Sequence, residues 1–187
     1  MPGTMIAQKL ASVVTVAALV LILSSQVLGA DDAISAGRNS GKLAIPDEEF
    51  VRKAAQDAMM EVKLGELAEQ KGMREDVKKF GERMAADHTN ANDELKKIAL
   101  GDGLALSDTL DAVHEGAVGR LAQLEGDQFD KAYIDDMVKD HVKAVGEFEQ
   151  ASKNVTDAGL RAFVIKLLPT LKAHLAIIKG LQNAPSK

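Results

Sequence analysis

Cysteine and tryptophan are absent from the 187 residues, tyrosine occurs once, and aromatic side chains make up only 3%. Without cysteine there is no disulfide framework, no thiol nucleophile and no N-terminal lipoprotein tether. With so few rings, the 46% of hydrophobic residues must build a core from Leu, Val, Ile, Ala and Met. That palette favours helix and disfavours strand. No stretch sustains an apolar alternation of period two, which excludes a β-barrel. A Gly-x-Ser-x-Gly elbow, a serine beside a histidine and a phosphate-cradling glycine loop are all missing, so nucleophilic catalysis has no support. A basic excess is missing too: 23 Lys and Arg face 28 Asp and Glu. Such a balance argues against a nucleic-acid partner, which needs cations to replace counterions.

The one long uncharged apolar run is Leu10–Leu23, preceded by the single cation Lys9. Fourteen helical residues span about 21 Å, short of a bilayer core of roughly 30 Å. Val27 and Gly29 stand at −3 and −1 of a cleavage point before Ala30. This pattern predicts a secretory signal peptide over 1–29, with an uncleaved anchor as the competing reading. Removing it takes away Lys9 and no acid, leaving 22 basic and 28 acidic residues and no transmembrane segment in the mature chain. The expected location is the periplasm. Residues 30–46 are polar, with Gly, Ser and Pro, and read as a linker.

From 47 to 183 the periodicity is helical throughout, and a single all-α domain is expected. Asp47 is a candidate N-cap for a first helix to about Lys71, with Gly72 as its stop. A second helix runs from about Glu75 to Leu100, before Gly101-Asp102-Gly103. Ser107 or Asp108 can cap a shorter third helix. Gly126-Asp127 opens a fourth, and Asp157 can cap a fifth, which contains Pro169. Four long helices in two hairpins, joined by a connection carrying a short helix, is the connectivity of a ferritin-like antiparallel four-helix bundle with a crossover helix. FGERMAADHTNANDEL (80–95) also matches YIDDMVKDHVKAVGEF (133–148) without gaps, which predicts an internal duplication at an offset of 53.

All four histidines fall on apolar helix faces. For any one alone, the ordinary reading is a half-buried core histidine with a backbone or carboxylate partner. Glu61 shares its face with Ala54, Ala58, Gly65 and Ala68, and a buried carboxylate needs a partner. Counted from the hairpin turns, Glu61, His88, His141 and His174 come to about the same mid-bundle level, one from each long helix. Three imidazoles and a carboxylate could hold one transition-metal ion: Zn²⁺, Cu²⁺ or Fe²⁺. A di-iron centre would need Glu-x-x-His pairs, but Ala85, Val138 and Leu171 precede these histidines by three. His114 has Asp111 at that spacing and lies in the crossover. Asp87 and Asp140, beside the repeated histidines, read as part of a solvated acidic stripe with Glu94 and Glu147, or else as outer support for the histidines.

The segments FVRKAAQDAMMEVKLGELAEQKG, VKKFGERMAADHTNANDELKKIA, FDKAYIDDMVKDHVKAVGEFE and LLPTLKAHL resemble an uncharacterised bacterial family labelled "predicted outer membrane protein", a domain of unknown function in the ferritin-like class. The resemblance spans about Phe50 to Leu181. It implies architecture, export and an outer-membrane association, and its matching positions are Glu61, Asp87-His88, Asp140-His141 and His174. The expected function is that of an exported binding or structural protein of the envelope or of stress responses, with one mononuclear metal site and an envelope protein as partner. The alternative is a metal-handling or redox enzyme descended from di-iron bundles.

Overall fold

The computed structural model describes residues 42–184, which form five helices and no strand. They are α1 (Ile45–Lys71), α2 (Glu75–Gly101), α3 (Ala112–Ala122), α4 (Gly126–Asn154) and α5 (Ala158–Asn183). The expected signal peptide and most of the linker lie outside the described residues. Four of the helices are 26 to 29 residues long, roughly 40 Å each. They pair as hairpins α1–α2 and α4–α5, and α2 packs on α5 and α1 on α4. The fold is the all-α bundle with a crossover helix that the periodicity predicts.

Two helix starts, those of α3 and α1, differ from expectation, each for a capping reason. The carboxylate of Asp111, rather than Ser107 or Asp108, accepts from the backbone N–H groups of Val113 and His114 and so starts α3 late. Ser107 instead bonds Thr109, and Asp108 pairs with Lys96. Gly126 is the first residue of α4, with a φ of 56°, a left-handed value that suits glycine. Asp157 does cap α5, accepting from the Leu160 N–H.

Asp47 does not cap its own helix, because Pro46 and Ile45 already lie within α1. It is 4% exposed and accepts from the Thr156 N–H, the Thr156 hydroxyl and the Asp157 N–H in the α4–α5 turn. Asp130, near the start of α4 and 3% exposed, does the same for the α1–α2 turn, accepting from the Met73 and Arg74 N–H groups. Each hairpin thus supplies the acid that satisfies the other's turn. The matching positions, Asp47 with Asp130 and Arg74 with Asp157, are 83 residues apart. Both helix ends before the turns also match, with Gly72 and Val155 bonding back to Ala68 and Ala151. The structural repeat therefore relates hairpin to hairpin at 83, not 53. Replacing Asp130 by alanine removes the acceptor of two backbone donors in the turn and is expected to cost about 2 kcal/mol, read as a lower urea midpoint at unchanged slope.

These contacts also set directions. The α1–α2 turn and the start of α4 share one end of the bundle, so α2 and α4 run parallel on opposite corners of the core. The 53-residue match is the register of this facing pair: Phe80 meets Tyr133 at 6.3 Å between centroids, and His88 meets His141 at 5.8 Å. What the sequence shares at that offset is the layering of one core, not a copied unit. The core has two apolar halves. One is built on Val51, Leu95, Phe148, Leu160 and Phe163. The other is built on Leu64, Val77, Phe80, Phe129, Tyr133 and Ile178. A polar layer separates them.

Candidate metal centre

Glu61 from α1, His88 from α2, His141 from α4 and His174 from α5 form that layer, and none is more than 5% exposed. All four expected residues are brought together. At this depth every polar atom needs a partner or pays for its lost hydration.

Each imidazole has one nitrogen engaged. His88 Nδ1 lies 3.0 Å from Glu61 Oε2. His141 Nδ1 lies 3.1 Å from the Met137 carbonyl oxygen and 3.6 Å from Glu61 Oε1. His174 Nε2 lies 2.8 Å from Asp87 Oδ2. Carbonyl and carboxylate oxygens accept only, so these three nitrogens carry the protons and donate. The other three, His88 Nε2, His141 Nε2 and His174 Nδ1, are buried with no hydrogen-bond partner. The rings lie 5.5 to 5.8 Å apart, and one ring nitrogen of each falls within 4.8 Å of the others.

The charges of the layer follow from its contacts. Burial alone would raise the Glu61 carboxyl, but His88, then His141 and His174, hold it down to about 2. Burial lowers His88, and the adjacent Glu61 outweighs it, so His88 titrates above its usual range. His141 is lowered, mainly by burial. His174 is pushed down to about 4 by burial and by the two neighbouring rings, against its hydrogen bond to Asp87. Charge in the layer is thus favoured on Glu61 and His88 and disfavoured on His141 and His174.

The two aspartates that look equivalent in sequence part company. Asp87 carries His174 and is itself held by Arg83, so it is support rather than solvated stripe. Asp140 is half-buried, and burial, with Glu61, Asp136 and Asp57 nearby, pushes its carboxyl up to about 6. Glu94 and Glu147 pair with Lys166 and Lys53. His114 is apart from the layer. Its ring joins Asp111, 2.8 Å away, to Asp57 on α1, 3.1 Å away, and these carboxylates outweigh burial to raise it. With Arg52 and Gln56 bonding to Ala105 and Thr109, it straps the crossover along α1.

Beside the centre, between α1 and α4, lies a cavity of about 60 Å³ bordered by Glu61, His88, Asn92 and Asp140. Such a volume holds a few waters. Asn92 is 8% exposed, and its Oδ1 has no hydrogen-bond partner. Sequence reading passed over it, although it follows His88 by one helical turn on the same stripe.

Comparison with known proteins agrees with the fold and assigns no activity. No functionally curated protein matches the chain. A DUF305 fragment from Deinococcus radiodurans superposes with a TM-score of 0.66 at 12% identity, over 75% of this chain and 97% of that one. A DUF305 protein from Streptomyces coelicolor, named as a secreted protein, gives 0.61 at 14% identity, over 72% and 90%. The model of the domain of unknown function DUF4142 matches residues 33–181, and the chain belongs to that family.

Proposed function

We propose that this chain is an exported helical-bundle protein that binds one mononuclear transition-metal ion through His88 Nε2, His141 Nε2 and His174 Nδ1. The observation that carries this reading is the set of three buried ring nitrogens without partners, each on an imidazole whose other nitrogen is held by an acceptor. Metal-bound histidines have this arrangement, because an outer acceptor fixes the tautomer and turns the lone pair inward. Glu61 then serves as the acceptor behind His88, and the Met137 carbonyl as the acceptor behind His141, so that Glu61 is not a fourth ligand and the cavity leaves the fourth position to water or an exogenous ligand. Three imidazoles and an open position suit Zn²⁺, Cu²⁺ or Fe²⁺ at about 2.0–2.1 Å per Zn–N bond, so the rings close in slightly on binding. Each ligating nitrogen must be free of its proton to bind, so metal affinity falls as the pH is lowered.

Export is supported by the N-terminal pattern of residues 1–29. A structural neighbour is named as a secreted protein. Iron oxidation at a dinuclear centre is disfavoured, because Glu61 is the one carboxylate within the layer.

The test is metal analysis of protein purified without a histidine tag, followed by Co²⁺ titration watched in the visible bands. One equivalent is expected to bind, and His88→Ala and His141→Ala are expected to lose it. A wild-type chain that takes up no metal, with those variants merely less stable, sinks the reading.

A further inference from the structure

The geometry points to the cavity between α1 and α4 as the path by which a hydrated divalent cation reaches the histidines, with Asp140 and Asn92 Oδ1 as its oxygen-donor staging position. This inference rests on the proposed metal site and adds how that site is filled. The path has a direction in chemistry. At its mouth stand three carboxylates, Asp57, Asp140 and Glu147. Lys53 spans two of them, at 2.5 Å from Asp57 and 2.8 Å from Glu147, which leaves Asp140 as the carboxylate outside that bridge. Deeper in, Asn92 offers a buried amide oxygen with no partner. The floor is Glu61 and His88.

Carboxylate and amide oxygens are acceptors without a proton to give. Lys53 and Lys143 also border the cavity, but four carboxylates, Asp57, Glu61, Asp140 and Glu147, outnumber them, so the lining is acidic in balance and a hard or borderline cation finds water-replacing ligands in sequence. Two other approaches are less open to a cation. Along the bundle axis the layer is sealed by the two apolar halves. On the α2–α5 side the half-exposed Asp87 occupies His174 Nε2, so a cation arriving there meets a protonated nitrogen rather than a lone pair. An unpartnered amide oxygen in a core is costly, and leucine of similar size would remove that cost. Asparagine at 92 therefore answers to something other than packing.

Stopped-flow mixing of the tag-free chain with Co²⁺, and chase of the loaded protein with EDTA, test this. Asn92→Leu is expected to slow uptake and release together by at least tenfold, leaving the equilibrium affinity within about threefold. Asp140→Asn is expected to slow uptake severalfold and to flatten its salt dependence, whereas Glu82→Gln, which removes an exposed acid elsewhere on α2, changes neither. Thermal midpoints no lower than that of the wild type establish that the variants are folded. Uptake at the wild-type rate in both cavity variants overturns the inference and leaves the metal site standing. A wild-type chain that binds no Co²⁺ at equilibrium overturns both.

Discussion

Saturation with a transition metal is expected to raise the thermal midpoint of this protein by about 10 °C, and His141→Leu is expected to abolish that rise without unfolding the apoprotein. A ligand that binds only the folded state, present at a thousand times its dissociation constant, stabilises by about 4 kcal/mol. In a domain of this size each kcal/mol moves the midpoint by roughly 3 °C. The behaviour of the apoprotein separates a metal site from a packing histidine. His141 is fully buried, and its Nε2 has no partner. Leucine fills a similar volume and removes a nitrogen whose lost hydration costs about 1–3 kcal/mol. The metal-free variant should therefore match or exceed wild type in urea. A packing histidine predicts the reverse: no metal-induced shift, and a loss of stability on replacement. Scanning calorimetry with and without Zn²⁺, together with urea unfolding in EDTA, decides between them.

The polar layer of Glu61 and the three histidines was legible in the sequence because helical arithmetic works over long helices. Counting from the turns puts Glu61, His88, His141 and His174 at one level, and the apolar stripes turn all four inward. The same arithmetic could not distinguish Asp87 from Asp140. Each precedes a buried histidine, and only the lateral neighbours decide that one meets His174 while the other faces a cavity. Asp47 was misplaced for a related reason. Capping rules are local, and its partners lie 109 and 110 residues away. The 53-residue match was real as a pattern but wrong as a duplication. Two parallel helices that face each other need bulk, methionine and histidine at the same heights, and this similarity comes from sharing a core. The 83-residue repeat is nearly silent in sequence, since it survives mainly in the turn-capping acids and the geometry of the turns.

The centre also depends on two glycines that carry no polar group. A Cβ built at Gly81 would lie 2.6 Å from the Gly65 carbonyl oxygen and 2.9 Å from the Glu69 nitrogen. One built at Gly65 would lie 2.6 Å from the Gly81 oxygen and 2.8 Å from the Ala85 nitrogen. These neighbours are backbone, so relief requires α1 and α2 to separate. Gly81→Ala gains about 1 kcal/mol of helix propensity but must pay for overpacking of about 3 kcal/mol or more, a net loss of about 2–3 kcal/mol. Gly65→Ala should cost about the same, and the double variant less than the sum, since one displacement relieves both clashes. Gly65 lies one turn beyond Glu61, and Ala85, which it would strike, lies one turn before His88. Separating the helices there draws Glu61 away from His88 Nδ1 and loosens the acceptor behind the ligand. Losses of this kind at outer partners cost roughly 10–100-fold in metal affinity. Gly146→Ala is the control: a Cβ there meets nothing within 4 Å, so it should stabilise α4 slightly and leave Co²⁺ affinity unchanged. If Gly81→Ala proves as stable as Gly146→Ala and binds Co²⁺ equally well, the close approach of α1 and α2 does not hold the centre together. Loss of both stability and affinity, in the order Gly81→Ala well below Gly146→Ala, would tie the packing of the first hairpin directly to the metal layer.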